Sequence, residues 1–395
     1  MDYYKKSLKS HREKKGKIEI QLKQPLRNRG DLSIFYTPGV AAVSRELSRY
    51  PEKTSEFTIK GNSVAIISDG SAILGLGNLG PYAALPVMEG KAMLFKRFAN
   101  IDAWPIVLDT QNPNKIVGIV EALAPGFGAI NLEDISAPRC FEIESRLQNI
   151  GIPVFHDDQH GAAIVILAAL INAAKVIGKR IEDLKVVVVG AGAAGTATAN
   201  LLMCLRGVLG KRALSKNLCT PAKEIIVVGR GGIISPKDNN INPYRKALLL
   251  HTNPRKIKGG LAAALEGADV LIGLSVGNIV TPEMIRLMAK NPIVFALANP
   301  APEIMPQDAL AAGAAIVGTG RSDFPNQINN ALAFPGIFRG ALDAKVIRIT
   351  SDMKIAAAYA LADTVRRPSK KNILPSIFYR GLANIVAKAV MKAEK

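Results

Sequence analysis

Apolar positions along this 395-residue chain follow two alternating rhythms. Short runs rich in apolar residues, SVAIIS (63–68), AWPIVLD (103–109), AINLED (129–134) and IPVF (152–155), predict strands, and the stretches 83–98 and 113–123 between them carry helical spacing. The first thirty residues read as a polar, partly helical lead-in, followed by a turn at Thr37-Pro38-Gly39 and a helix over 40–47. GAAIVILAALINAAKVIG predicts a long buried helix stopped by Gly178. A second set of strands then follows: KVVVV (185–189), EIIVVG (224–229), DVLIGL (269–274), PIVFALA (292–298) and AIVGTG (315–320). The expected fold class is α/β in two domains, an N-terminal α/β domain over 1–160 and a Rossmann-like, doubly wound parallel sheet with C-terminal helices over 161–395.

Composition supports that architecture: 48% hydrophobic residues, 34 glycines and only 5% aromatics suit a Val-, Ile- and Ala-rich α/β protein. The three cysteines, Cys140, Cys204 and Cys219, show no CxxC spacing and no even-numbered framework. They predict a reducing, cytoplasmic setting without structural disulfides. The N-terminus lacks the apolar core of a secretory signal, and the longest apolar run, 162–174, is too short to span a membrane, so no membrane partner is expected. The net charge of +19 sits mostly at the ends, with ten basic against three acidic residues in 1–30 and eleven against three in 345–395. Without interleaved aromatics or a binding motif, this reads as solvated end segments, and no nucleic-acid partner is expected.

GxGxxG occurs twice, over 75–80 and 190–195. A dinucleotide loop needs a strand running straight into the glycines and a helix leaving them, so that backbone N–H groups and the helix N-terminus meet the pyrophosphate. Gly190, Gly192, Ala193, Ala194 and Gly195 meet this condition. The first copy is separated from its strand by SDGSA and followed by Pro81, which suits a tight loop better. An acidic residue at the end of the next strand would accept the ribose hydroxyls of NAD, but Gly229-Arg230 stands there, a lean toward the 2′-phosphate of NADP. Arg230 stacking on adenine or facing solvent is the alternative.

Glu133-Asp134 and Asp157-Asp158 each lie at a predicted strand end, and oxygen-only ligands suit Mg²⁺ or Mn²⁺. Either pair alone also reads as exposed turn acids or helix caps. His156 and His160 lack the adjacent glutamate and underlying helix of a zinc HExxH site. Lys91, among apolar residues of its helix, either snorkels or is desolvated with a lowered pKa suited to a base. Tyr36, beside the rigid turn, is a possible acid or an ordinary packing tyrosine.

Together FYTPGVA (35–41), SDGSAILGLGNLGPYAALPVMEGKAMLFK (68–96), INLEDISAPRCFEIE (130–144), PVFHDDQHG (153–161), VVGAGAAG (188–195), ALANPAPEI (296–304) and GTGRSDFPNQINNALAFPGIFRGALD (318–343) closely resemble the malic enzyme family in its short bacterial and archaeal form. The resemblance implies an N-terminal substrate and metal domain and an NAD(P)-dependent oxidative decarboxylation of malate to pyruvate and CO₂. It implies Lys91 as base, Tyr36 as the acid that protonates the enol, Glu133, Asp134 and Asp158 as metal ligands, and Asp157 as support for Lys91. Asn299 and Asn330 would orient substrate and nicotinamide, with Asn329 a less certain participant, and the enzyme would be a homodimer or higher homo-oligomer. Larger members carry an arginine after the DG turn where Ser71-Ala72 stands, so the substrate carboxylate needs another clamp. Many short relatives have an acidic residue at Gly229, and the chain ends without the phosphotransacetylase-like extension of long bacterial members. The rival readings are a malolactic-type enzyme that retains its cofactor and releases lactate, and a non-catalytic nucleotide- or nucleic-acid-binding protein on the same fold.

Overall fold

The computed structural model describes residues 3–206, 212–213, 219–238 and 241–394. The polar lead-in forms α1 (Tyr3–Lys14), α2 (Arg29–Phe35), α3 (Val40–Arg49) and α4 (Thr54–Phe57), none of which contains a buried residue. The first sheet holds β1 (Ser63–Ser68), β2 (Asp102–Val107), β3 (Ala129–Leu132) and β4 (Val154–His156), all parallel in the order β2-β1-β3-β4. Helices α5 (Pro81–Ala99), α6 (Pro113–Leu123) and α7 (Arg139–Leu147) connect these strands.

Next comes α8 (Asp157–Ile177), which starts four residues before the apolar run suggested. Asp157 and Asp158 sit in its first turn, where carboxylates oppose the positive end of the helix dipole. By length and composition α8 could cross a membrane, contrary to the expectation from the shorter apolar run. It is instead a core helix, with 78% of its most apolar window buried.

The second sheet is built from β5 (Lys185–Val189), β8 (Glu224–Gly229), β9 (Gly232–Ile233), β10 (Val270–Gly273), β11 (Ile293–Ala296) and β12 (Ile316–Thr319). Its order is β12-β11-β10-β5-β8-β9, parallel except for the antiparallel edge β9. The two-residue strands β6 (Leu205–Arg206) and β7 (Arg212–Ala213) pair separately. Helices α9 (Ala193–Leu202), α10 (Pro243–Leu249), α11 (Leu261–Leu265), α12 (Pro282–Arg286) and α13 (Pro306–Ala311) link the strands. From β5 the chain passes to β8 on one side and later to β10 on the other, which opens a crevice beyond the strands' C-terminal ends.

Three helices finish the chain, α14 (Phe334–Asp343), α15 (Ser351–Asp363) and α16 (Leu382–Lys392). They return to the first sheet: Phe334 and Phe338 of α14 pack on Phe95 of α5 with ring centroids 4.7 and 5.2 Å apart, and Phe338 meets Phe155 of β4 at 5.6 Å. One apolar core therefore runs from the first sheet through α8 to the second.

Cys204 and Cys219 form a disulfide with Cα atoms 5.7 Å apart, which overturns the expectation of none. Spacing alone hides the reason. The segment entering β8 runs back along the end of α9, where the Ala222 N–H donates to the Leu202 carbonyl at 2.9 Å, and this return brings the two buried cysteines together. The cysteines thus lend no support to a reducing compartment. Cys140 is a buried free thiol.

Candidate functional site

Parallel register assembles the first half of the site. Leu132 at the end of β3 pairs with His156 at the end of β4, so the next residues, Glu133 and Asp157, leave the sheet side by side. Lys91, in the middle of α5 and only 5% exposed, sits between them. Its Nζ is 2.5 Å from Glu133 Oε1 and makes a closer ion pair with Asp157, while the Phe334 ring lies 4.4 Å away. Asn330 begins a 3-10 turn over Asn330–Leu332 and donates from Nδ2 to Asp157 Oδ2 at 2.6 Å. Asn131 donates to Glu133 Oε2 at 3.0 Å, and Asp158 Oδ2 accepts the Asp134 N–H at 2.8 Å.

Four carboxyls share this pocket with one ammonium. Burial, reinforced by the neighbouring carboxylates, pushes Asp134 up to about 9 and Glu133 and Asp157 to about 7. Asp158, with about a third of its side chain open, rises to about 6. Lys91 is neither snorkelling nor lowered in pKa, which corrects both expectations for it. Burial pulls it down, but Asp157, Glu133 and Asp158 outweigh that pull and hold the ammonium above its usual value. Asp134 Oδ2 and Asp157 Oδ1 are buried without a hydrogen-bond partner.

Behind the pocket, Glu144 accepts from the His156 N–H at 3.1 Å and from Gln159 Nε2 at 3.1 Å, and meets His160 Nε2 at 3.0 Å. His160 is thereby committed to Glu144, and the two histidines do not form a zinc pair. Asn329 caps the 3-10 turn by accepting the Ala331 N–H at 2.9 Å, a local structural role.

The DG turn beyond β1 is tied to the same edge. Ala72 N–H donates to the Asp134 carbonyl at 2.9 Å, and the Ser71 hydroxyl accepts the Ser136 N–H at 2.9 Å. Arg139, inside a motif quoted above but given no role there, reaches this turn. Its Nη2 lies 3.2 Å from Gln111 Oε1 and 3.5 Å from Asp69 Oδ2, and its Nε is buried without a partner. Nothing in the linear sequence marks it; only the fold brings α7 to the turn where Ser71-Ala72 lacks a cation.

The second half of the site is made of backbone. β5 runs into Gly190 at φ +119°, where a Cβ would collide with the Leu274 carbonyl beyond β10, and a Cβ on Gly195 would overlap the Gly190 carbonyl. Gly192 caps α9, whose first residues are Ala193 and Ala194, so the helix N-terminus opens at the glycines. Arg230 lies exposed just past β8. Asn299 follows β11, and its carbonyl would stand 2.5 Å from a Cβ on Gly75. The first GxGxxG loop therefore closes against the second half of the molecule, with Leu74 and Gly75 both at positive φ.

Tyr36 is not brought to Lys91. It ends α2, is 66% exposed, and stands beside exposed Ile34 and Phe35.

Comparisons with known proteins agree with this geometry. The family description "Malic enzyme, N-terminal domain" matches residues 15–117, and "Malic enzyme, NAD binding domain" matches 159–394. An NAD-dependent malic enzyme of Geobacillus stearothermophilus is 51% identical, over 96% of this chain and 76% of that protein. A bifunctional malic/malolactic enzyme of Bacillus subtilis is 49% identical, over 100% of this chain and 93% of that protein. Other relatives carry NADP in their names. Among solved structures, the NAD-dependent malic enzyme of Thermotoga maritima superposes with a TM-score of 0.91 at 48% identity, covering 98% of each chain. With its lysine–carboxylate pocket and glycine loop on sheets matched from end to end by such relatives, the chain belongs to the malic enzyme family.

Proposed function

We propose that this protein oxidises (S)-malate with NAD or NADP and decarboxylates the product to pyruvate and CO₂, using Mg²⁺ or Mn²⁺. The observation that carries the reading is the buried Lys91, held by Asp157 and Glu133 at the strand ends of the first sheet.

Among the described residues no three His, Cys, Asp or Glu side chains are placed so that they could hold a metal ion as they stand. The donor set nevertheless fits a hard cation. It consists only of carboxylates, the buried Asp134 Oδ2 has no partner, and burial drives the group toward protonation unless positive charge is supplied. Glu133, Asp134 and Asp158 would hold the ion. When bound, the cation supplies electron withdrawal at the substrate's oxygens and the nicotinamide supplies the hydride acceptor.

The chain's own residues do the remaining work. Glu133 and Asp158, two of the carboxylates that hold Lys91 protonated, are those a bound cation would neutralise; once neutral, Lys91 would accept the C2 hydroxyl proton as hydride leaves C2, and its bond to Asp157 gives that proton a way onward. Asn330 fixes Asp157 from the opposite side. Arg139, at the DG turn, supplies the positive charge that Ser71-Ala72 lacks and clamps the substrate carboxylate. The C3–carboxylate bond then breaks with its electrons left on carbon, and Tyr36 donates the proton that completes pyruvate. Because Tyr36 is open to solvent in the single chain, that role requires closure of the assembled enzyme, a homodimer or higher homo-oligomer, around Lys91. Asn299 orients the nicotinamide end of the cofactor, and Arg230, without a carboxylate at Gly229, favours the 2′-phosphate of NADP.

The test is absorbance at the reduced-nicotinamide band with malate and Mn²⁺, run with NAD and with NADP. Steady growth with either cofactor is expected; folded protein that gives none with both would sink the reading. The bifunctional Bacillus relative keeps a malolactic reaction in view. Lactate released without net reduced cofactor would select it.

A further inference from the structure

We propose that the cavity between α5 and α16 is a second ligand site, taking a small organic anion with a carboxylate head and an apolar body, and that its occupancy is felt at the catalytic pocket through the turn Asn330–Leu332. The cavity measures about 360 Å³, room for roughly twelve non-hydrogen atoms at the packing of liquid water. Its lining is mixed: Leu332 and Pro335 lie on it, Phe98 meets Phe378 edge-to-face at 5.8 Å, and Tyr379 and Asn384 add polar groups. Two guanidiniums, Arg97 and Arg380, also line it.

Neither arginine has a carboxylate partner among the described residues, whereas Arg339 on nearby α14 pairs with Asp343 at 2.6 Å. Gly381, directly after Arg380, caps α16 without any side-chain bond, so the positive end of an 11-residue helix faces the same space. Two unneutralised cations over an aromatic and aliphatic pocket select a negative head with an apolar tail. A polar dianion would leave the apolar walls wet, and a neutral molecule would leave the guanidiniums unused.

The walls share backbone elements with the catalytic pocket, although neither arginine reaches it. Arg97 and Phe98 lie on the helix that carries Lys91. Leu332 ends the turn whose first residue, Asn330, bonds Asp157 at 2.6 Å. Pro335 follows Phe334, whose ring faces the Lys91 ammonium. A body pressed between Leu332 and Phe98 therefore pushes on both elements that frame the lysine–aspartate pair.

Calorimetry on the full-length protein tests this, with hexanoate and benzoate as probes and hexanamide and benzamide as neutral controls, each with and without excess malate and no cofactor. The expected result is one carboxylate per chain, insensitive to malate, with each amide at least about tenfold weaker. The double variant Arg97→Gln/Arg380→Gln should keep its melting temperature and its malate turnover without probe, and should lose carboxylate affinity by at least about tenfold. Hexanoate should shift the KM for malate in the wild type and not in the variant. Absence of carboxylate binding, equal binding of acid and amide, displacement by malate, or unchanged affinity in the double variant would each overturn the site. Binding that leaves malate kinetics untouched would overturn the coupling.

Discussion

The two sheets present ligands at their C-terminal edges in opposite ways. The first edge works with charge: Glu133, Asp134, Asp157 and Asp158 crowd around one buried ammonium, and their oxygens are only partly satisfied. The second edge works with backbone: a Cβ on Gly190 or Gly195 would collide with a carbonyl, and Gly192 caps α9, the arrangement proposed to meet phosphate. The first is an electrostatic device whose parts depend on one another, and the second a steric device in which a single added methyl group does the damage. Substitutions should accordingly fail differently at the two edges.

The contrast is sharpest at Lys91. Lys91→Ala removes both the proposed base and the only cation in the pocket, so kcat should fall by about 10²–10⁴. The orphaned carboxylates should also cost about 3–5 kcal/mol of stability, read as a lower melting temperature. Full turnover in this variant would break the electrostatic account of the first edge.

At the second edge, Gly195→Val drives a side chain into the Gly190 carbonyl. The loop must shift, and the KM for the dinucleotide should rise by about a hundredfold, a loss of some 2–3 kcal/mol of phosphate contact. Malate affinity at the first pocket should stay as in the wild type. A variant with normal cofactor affinity would show that the glycines are not the phosphate loop.

This difference also explains what could be seen in the sequence. Backbone devices leave local signatures: the strand KVVVV running into GAGAAG matches the observed β5–glycine–α9 unit, and apolar runs place the principal strands and helices α5, α6 and α8. The carboxylate pairs were visible as strand-end acids, but their union around Lys91 depends on the β3–β4 register and on α5 crossing above it, neither of which is written locally. The direction of the Lys91 pKa is not legible locally, because it is set by residues 42 and 66 positions away. The Cys204–Cys219 bridge and Arg139 at the DG turn were hidden for the same reason: each needs a chain return that spacing does not reveal.

Arg139 offers a test intermediate between the two edges, because it is charged but acts at a turn rather than within the pocket. Arg139→Gln keeps a hydrogen-bonding side chain toward Gln111 while removing the charge. The KM for malate should rise by about tenfold with kcat changed much less, as a uniform binding contact predicts. An equal loss in kcat would instead place Arg139 among the groups that hold Asp69 and the carboxylate loop in shape.

The smallest expected effect lies at Arg230, where the second edge borrows the method of the first. Its guanidinium is exposed at the end of β8, beside a glycine that offers no carboxylate to the ribose. An exposed ion pair with a phosphate is worth up to about 1 kcal/mol and is screened by salt. Arg230→Gln should therefore lower kcat/KM for NADP by about three- to fivefold while leaving NAD within experimental error, and the difference should shrink as ionic strength rises. If both cofactors respond alike, Arg230 stacks on adenine rather than reading the 2′-phosphate, and the second edge binds by shape alone.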